Sequence, residues 1–65
     1  MNPRKLQLLE SVLKGLQDAI LYLTVIEKGM KPGKLKERLQ KRIIKLKAKE
    51  NLMKLIINSL RVKIN

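Results

Sequence analysis

From Lys34 to Lys63 the chain runs thirty positions without a glycine or a proline, KLKERLQKRIIKLKAKENLMKLIINSLRVK. Nothing in that stretch interrupts an α-helical hydrogen-bond ladder, so it predicts one continuous helix of roughly 45 Å at ~1.5 Å per residue. A rod of that length uses nearly half of a 65-residue chain. The remaining residues must cover it, or something else must.

The preceding segment is suited to covering it. Asn2-Pro3 is a helix start, with Asn as N-cap and Pro at the first helical position. Leu6, Leu9, Leu13, Leu16, Ile20 and Leu23 then recur at spacings of three and four, a heptad-like stripe. A second row runs beside it through Leu8, Val12, Ala19 and Ile26, with Gly15 on the same side. Together the rows span about half the helix circumference, a width suited to two neighbours rather than one. Gly15 and Ala19 sit four apart, which permits close backbone approach. Tyr22 is expected at the edge of the core with its hydroxyl in water.

Gly29-Met30-Lys31-Pro32-Gly33 separates the two helical patterns. Gly29 stands where a left-handed C′ residue belongs, Met30 would close a Schellman-type ending over Val25 or Ile26, and Pro32 blocks continuation. A connection of about five residues makes the helices antiparallel neighbours. The expectation is all-α: a two-helix antiparallel hairpin, helices at about 3–28 and 34–63, forming one domain over 1–65. Disorder is expected only in the first two residues and the last one or two.

In the second helix Leu39, Ile43, Leu46, Met53, Ile57, Leu60 and Ile64 keep the heptad rhythm, with Glu50 at one seam position. Up to Lys49 the apolar stripe is narrow. From Leu52 onward apolar residues wrap most of the circumference, and the shorter first helix can cover one side only, leaving residues after about Leu60 overhanging. The expectation is therefore homodimerisation into a four-helix bundle, or a larger assembly, through Leu52, Met53, Leu55, Ile56, Ile57, Leu60 and Ile64. So short a chain, without disulfides, has few other sources of buried area.

Charge follows the same division. The net charge is +11. Residues 1–29 carry Arg4, Lys5, Lys14 and Lys28 against Glu10, Asp18 and Glu27, a balance of +1. The other twelve bases face only Glu37 and Glu50, leaving +10 on residues 30–65. Such asymmetry points to a polyanionic partner. Lys31, Lys34 and Lys36 gather at the start of the second helix, with Arg38 behind them, although that end of a helix favours acids. A helix N-terminus dressed with lysines and opened by Gly33 suits a phosphate. Lys34, Arg38, Lys41, Arg42, Lys45 and Lys49 continue from it as one stripe at three- and four-residue spacings, in which i,i+4 neighbours repel.

Catalytic chemistry is almost without candidates. The chain has no His, Cys or Trp, and its carboxylates are scattered; Ser59 has Lys63 at i,i+4, a pair expected to be solvated. No P-loop, dinucleotide-binding glycine pattern or metalloprotease motif is present. No enzyme activity, cofactor or metal is expected. Single-stranded nucleic acid is disfavoured, because Tyr22 is the one aromatic available for base stacking. The favoured partner is duplex DNA or structured RNA, held by its phosphates through Lys31, Lys34, Lys36, Arg38, Lys41, Arg42, Lys45 and Lys49. Asn51 and Asn58, seven apart, are within the repertoire of adenine readers but are expected at a bundle boundary, setting register. Two alternatives remain: an acidic protein surface, and an anionic membrane face. The latter is weakened by the absence of Trp and Phe. No secretory signal or spanning segment is visible, and the lack of cysteine suits a cytoplasmic setting.

Overall fold

A computed structural model describes the backbone of residues 3–64 and the side chains of residues 4–63. Asn2, the side chain of Ile64 and the chain ends expected to be disordered lie outside the described residues. Among the described residues there are two helices and no strand: α1 is Pro3–Lys28 and α2 is Lys34–Ile64. They form an antiparallel hairpin about a connection at residues 29–33. The result is a rod of 48 × 14 × 11 Å.

The heptad stripes form the seam. Leu6, Leu9, Leu13, Leu16, Ile20 and Leu23 on α1 meet Leu39, Ile43, Leu46, Met53, Ile57 and Leu60 on α2, all buried or half-buried. Ile20, Ile43 and Ile57 form the fully buried core, and Ile57 is the deepest at 3% exposed. Two helices side by side cover a stripe and no more, so the core is one residue wide. Thr24 is half-buried within α1, and its hydroxyl donates to the Ile20 carbonyl at 2.7 Å, which keeps it satisfied.

The turn departs from the expected form. No glycine among the described residues has positive φ. α1 ends instead in a tightened turn: the Gly29 N–H donates to the Ile26 carbonyl and the Met30 N–H to the Glu27 carbonyl, each at 3.1 Å. These i to i−3 bonds satisfy terminal carbonyls without a left-handed residue. A Cβ at Gly29 would meet only the Ile26 carbonyl oxygen, at an ordinary 3.6 Å. Met30 is half-buried, whereas Val25 and Ile26, either of which it was expected to cover, stay exposed. Gly33 does open α2, its carbonyl accepting from the Glu37 N–H at 3.1 Å.

The long edges of the hairpin differ. Along one run Glu10, Gln17 and Thr24 of α1 and Gln40, Lys47, Lys54 and Arg61 of α2, each row at seven-residue spacing. Arg61 Nη2 donates to Glu10 Oε1 at 2.9 Å across this edge, so α1 still lies alongside α2 beyond Leu60, where overhang was expected. Near the turn Glu27 Oε1 accepts from Gln40 Nε2 at 2.8 Å and pairs with Lys36 Nζ at 3.7 Å. This edge is polar and tied. Along the other run Lys5, Val12, Ala19 and Ile26 of α1 and Leu35, Arg42, Lys49, Ile56 and Lys63 of α2. No ion pair crosses it among the described residues.

Much apolar surface stays in water. Leu8, Val12, Leu21, Tyr22 and Val25 on α1, and Leu35, Ile44, Leu52, Leu55, Ile56 and Val62 on α2, are exposed. Tyr22, expected at the core edge, is 68% exposed. The chain of 7.6 kDa leaves 5508 Å² accessible, about 1,200 Å² more than the roughly 4,300 Å² typical of a folded monomer of its mass.

Of the seven residues expected to bind a second chain, Met53, Ile57 and Leu60 are turned inward onto α1. They follow the seam rhythm, and the first helix claims them. Leu52, Leu55 and Ile56 remain exposed; the side chain of Ile64 lies outside the described residues.

Candidate nucleic-acid interface

The first half of α2 presents its outer side as a basic surface. Lys34, Arg38, Lys41, Arg42, Lys45 and Lys49 are all exposed. At about 100° per residue they fall within an arc of about 100°, which runs from the outer side of α2 (Lys34, Arg38, Lys41, Lys45) to the open edge (Arg42, Lys49). They extend over roughly 22 Å of helix at ~1.5 Å per residue. The seam puts them there: once Leu39, Ile43 and Leu46 face α1, these six positions must face solvent.

None of the six forms an ion pair among the described residues. Three of the carboxylates near α2 are engaged elsewhere. Glu27 is held by Lys36 and Gln40; Glu50 pairs with Lys54 at 3.5 Å; Glu10 pairs with Arg61. Glu37, four residues before Lys41, borders the arc and forms no ion pair among the described residues. Like charges at i,i+4, as in Lys34/Arg38, Arg38/Arg42 and Lys41/Lys45, cost an isolated helix ~0.2–0.5 kcal/mol each. The hairpin therefore holds a surface that an added polyanion relieves.

Lys36 is the exception among the eight bases read as anion-binding. It occupies a seam position, its side chain is only 24% exposed, and its ammonium is held by Glu27 and by the Met30 carbonyl at 3.4 Å. It fastens the turn to α2 and contributes nothing to the outer surface. Its heptad phase, seven before Ile43, was visible in the sequence and outweighs its charge. With Lys36 turned inward, the start of α2 keeps Lys31 and Lys34 as its exposed bases. The positive surface is thus a stripe along the helix rather than a cluster around its N-terminus.

Asn51 and Asn58 are exposed on α2 past the end of the basic arc. Among the described residues there is no cavity, no group of three potential metal ligands, and no helix long and apolar enough to cross a membrane. What the surface offers is charge, spacing and straightness. No family model, no characterised protein and no solved structure matches the chain.

Proposed function

We propose that this chain is a non-catalytic, phosphate-binding module that holds duplex DNA or structured RNA by its backbone and works as a homodimer. The observation behind the proposal is the unpaired basic arc: Lys34, Arg38, Lys41, Arg42, Lys45 and Lys49, with Lys31 at the turn end. Each base that neutralises a phosphate releases condensed counterions, and this term drives backbone binding without sequence readout. A rigid helix presenting bases at three- and four-residue intervals suits a backbone whose charges repeat at regular intervals. The lack of any aromatic on this arc favours base-paired over single-stranded targets. The dimer is supported by the surplus of exposed apolar surface.

A second reading has its own support. Leu35 and Ile44 are exposed within the basic half of α2, and phosphate contacts gain nothing from them. An acidic protein groove with an apolar floor would use whichever of the two it faces, since nine residues set them about 180° apart on α2.

The test is a binding titration at several salt concentrations against duplex DNA, structured RNA, an acidic polypeptide and anionic vesicles. Tight binding to duplex DNA or RNA with a steep log–log salt slope is expected. Binding to the polypeptide alone selects the second reading. Gain of helicity on vesicles without affinity for nucleic acid would overturn both.

A further inference from the structure

The hairpin leaves a second heptad seam uncovered on α1. Leu8, Val12, Gly15, Ala19, Tyr22 and Ile26 follow one another at spacings of four, three, four, three and four, the rhythm that lets one helix pack along another. Leu8 is 62% exposed and Val12 58%. A Cβ built on Gly15 meets nothing within 4 Å, so nothing in the hairpin itself occupies that position. This stripe lies toward the edge that lacks ion pairs, while the opposite edge is tied by Glu10, Glu27, Gln40 and Arg61. A seam of this regularity, left in water on a chain with about 1,200 Å² of surplus surface, calls for another helix. The surplus is ample for one side of a standard interface, about 800 Å² per partner.

We propose that the occupant is α1 of a second copy of this chain, packed antiparallel about a two-fold axis near residue 17. This placement rests on the dimer proposed above but not on its nucleic-acid ligand. It moves the centre of the interface from the C-terminal half of α2 to the outer stripe of α1. The stripe is self-complementary in that orientation. Leu8 meets Ile26 of the partner subunit, Val12 meets Tyr22 of the partner subunit, and Gly15 meets Ala19 of the partner subunit. Small residues fall at the axis, where the backbones approach, and a large residue faces a medium one on either side.

Charge selects the orientation. The basic half of α2 lies at the turn end of the rod. A parallel dimer would set two such ends side by side; the antiparallel one sends them to opposite ends of the assembly. Lys34, Arg38, Lys41 and Lys45, on the far side of α2, then stay in solvent on both subunits, while Arg42 and Lys49 stand on the open edge beside the interface. Leu55 is on that far side, 68% exposed, and takes no part.

Three measurements on the full chain decide the matter. Sedimentation equilibrium of the parent is expected to give twice the chain mass; a monomer would overturn both this placement and the dimer itself. Val12→Asp is expected to bring the mass to that of one chain at concentrations where the parent is dimeric, and Leu55→Asp to leave the dimer intact. The reverse result would keep the dimer and overturn the placement. The chain has no cysteine, so Leu8→Cys and Ile26→Cys each introduce a single thiol. Mixed and oxidised, the two variants are expected to form a cross-linked dimer that neither forms alone. Cross-linking of each variant with itself would show parallel packing and overturn the proposed axis.

Discussion

Replacing Lys34, Arg38, Lys41 and Arg42 together by Gln separates binding from stability. All four side chains are exposed and unpaired, and Gln is close to Lys and Arg in helix propensity, so the helix loses almost nothing. The change removes the repelling pairs Lys34/Arg38 and Arg38/Arg42 and relieves Lys41/Lys45, each worth ~0.2–0.5 kcal/mol. The variant is expected to be as stable as the parent or more stable by about 1 kcal/mol. Binding behaves oppositely. If each of the six bases of the arc neutralises one phosphate of a B-form duplex, the log–log salt slope is about −5.4, and with two bases left it is about −1.8. Between 50 and 200 mM salt the parent should then lose roughly 2,000-fold in affinity and the variant roughly 12-fold. Fluorescence anisotropy with a labelled 20-base-pair duplex at four salt concentrations reads the slope, and thermal unfolding by circular dichroism reads the stability. An unchanged slope would show that the arc is not the contact surface. A loss of stability would show that these bases have partners the geometry does not contain.

Lys36→Met tests the exceptional base. It is expected to leave the salt slope at the parent's value and to lower stability, since Glu27 loses its cation and keeps only Gln40; a slope reduced as strongly as by removing an arc residue would return Lys36 to the binding surface. Gly29→Ala should be tolerated or raise stability by ~0.4–1 kcal/mol through the unfolded chain, because the backbone there needs no positive φ. A cost above about 1 kcal/mol in chemical denaturation would mean that the helix ends in a left-handed residue after all. Ile57→Ala removes the deepest side chain of the core and should cost about 2–3 kcal/mol, the lower part of the usual range, because the narrow core is open on both flanks. A change under about 0.5 kcal/mol in urea unfolding would place the seam elsewhere on α2.

Local chemistry made the helices and their seam legible from residues alone. The thirty-residue stretch free of Gly and Pro had one regular structure open to it, and the turn cluster from Gly29 to Gly33 allowed one break. The spacing of Leu39, Ile43, Leu46 and Ile57 assigned the buried face before any partner was known, since helical periodicity maps sequence position directly onto direction. That same mapping put Lys34, Arg38, Lys41, Arg42, Lys45 and Lys49 on the solvent side. Only the tertiary structure decided how residues were shared between neighbours. Met53, Ile57 and Leu60 carry the seam rhythm in the sequence, yet they are as apolar as Leu52, Leu55 and Ile56, so residue type left both sets open to a second chain. Packing against α1 divides them, because a cylinder can touch its neighbour along one line. Lys36 had its seam phase in the sequence, seven before Ile43, but its partner Glu27, nine residues back across a turn, came only with the fold. The ending of α1 was likewise settled beyond the reach of residue type, since Gly29 is permitted a left-handed conformation and the tightened turn did not require one.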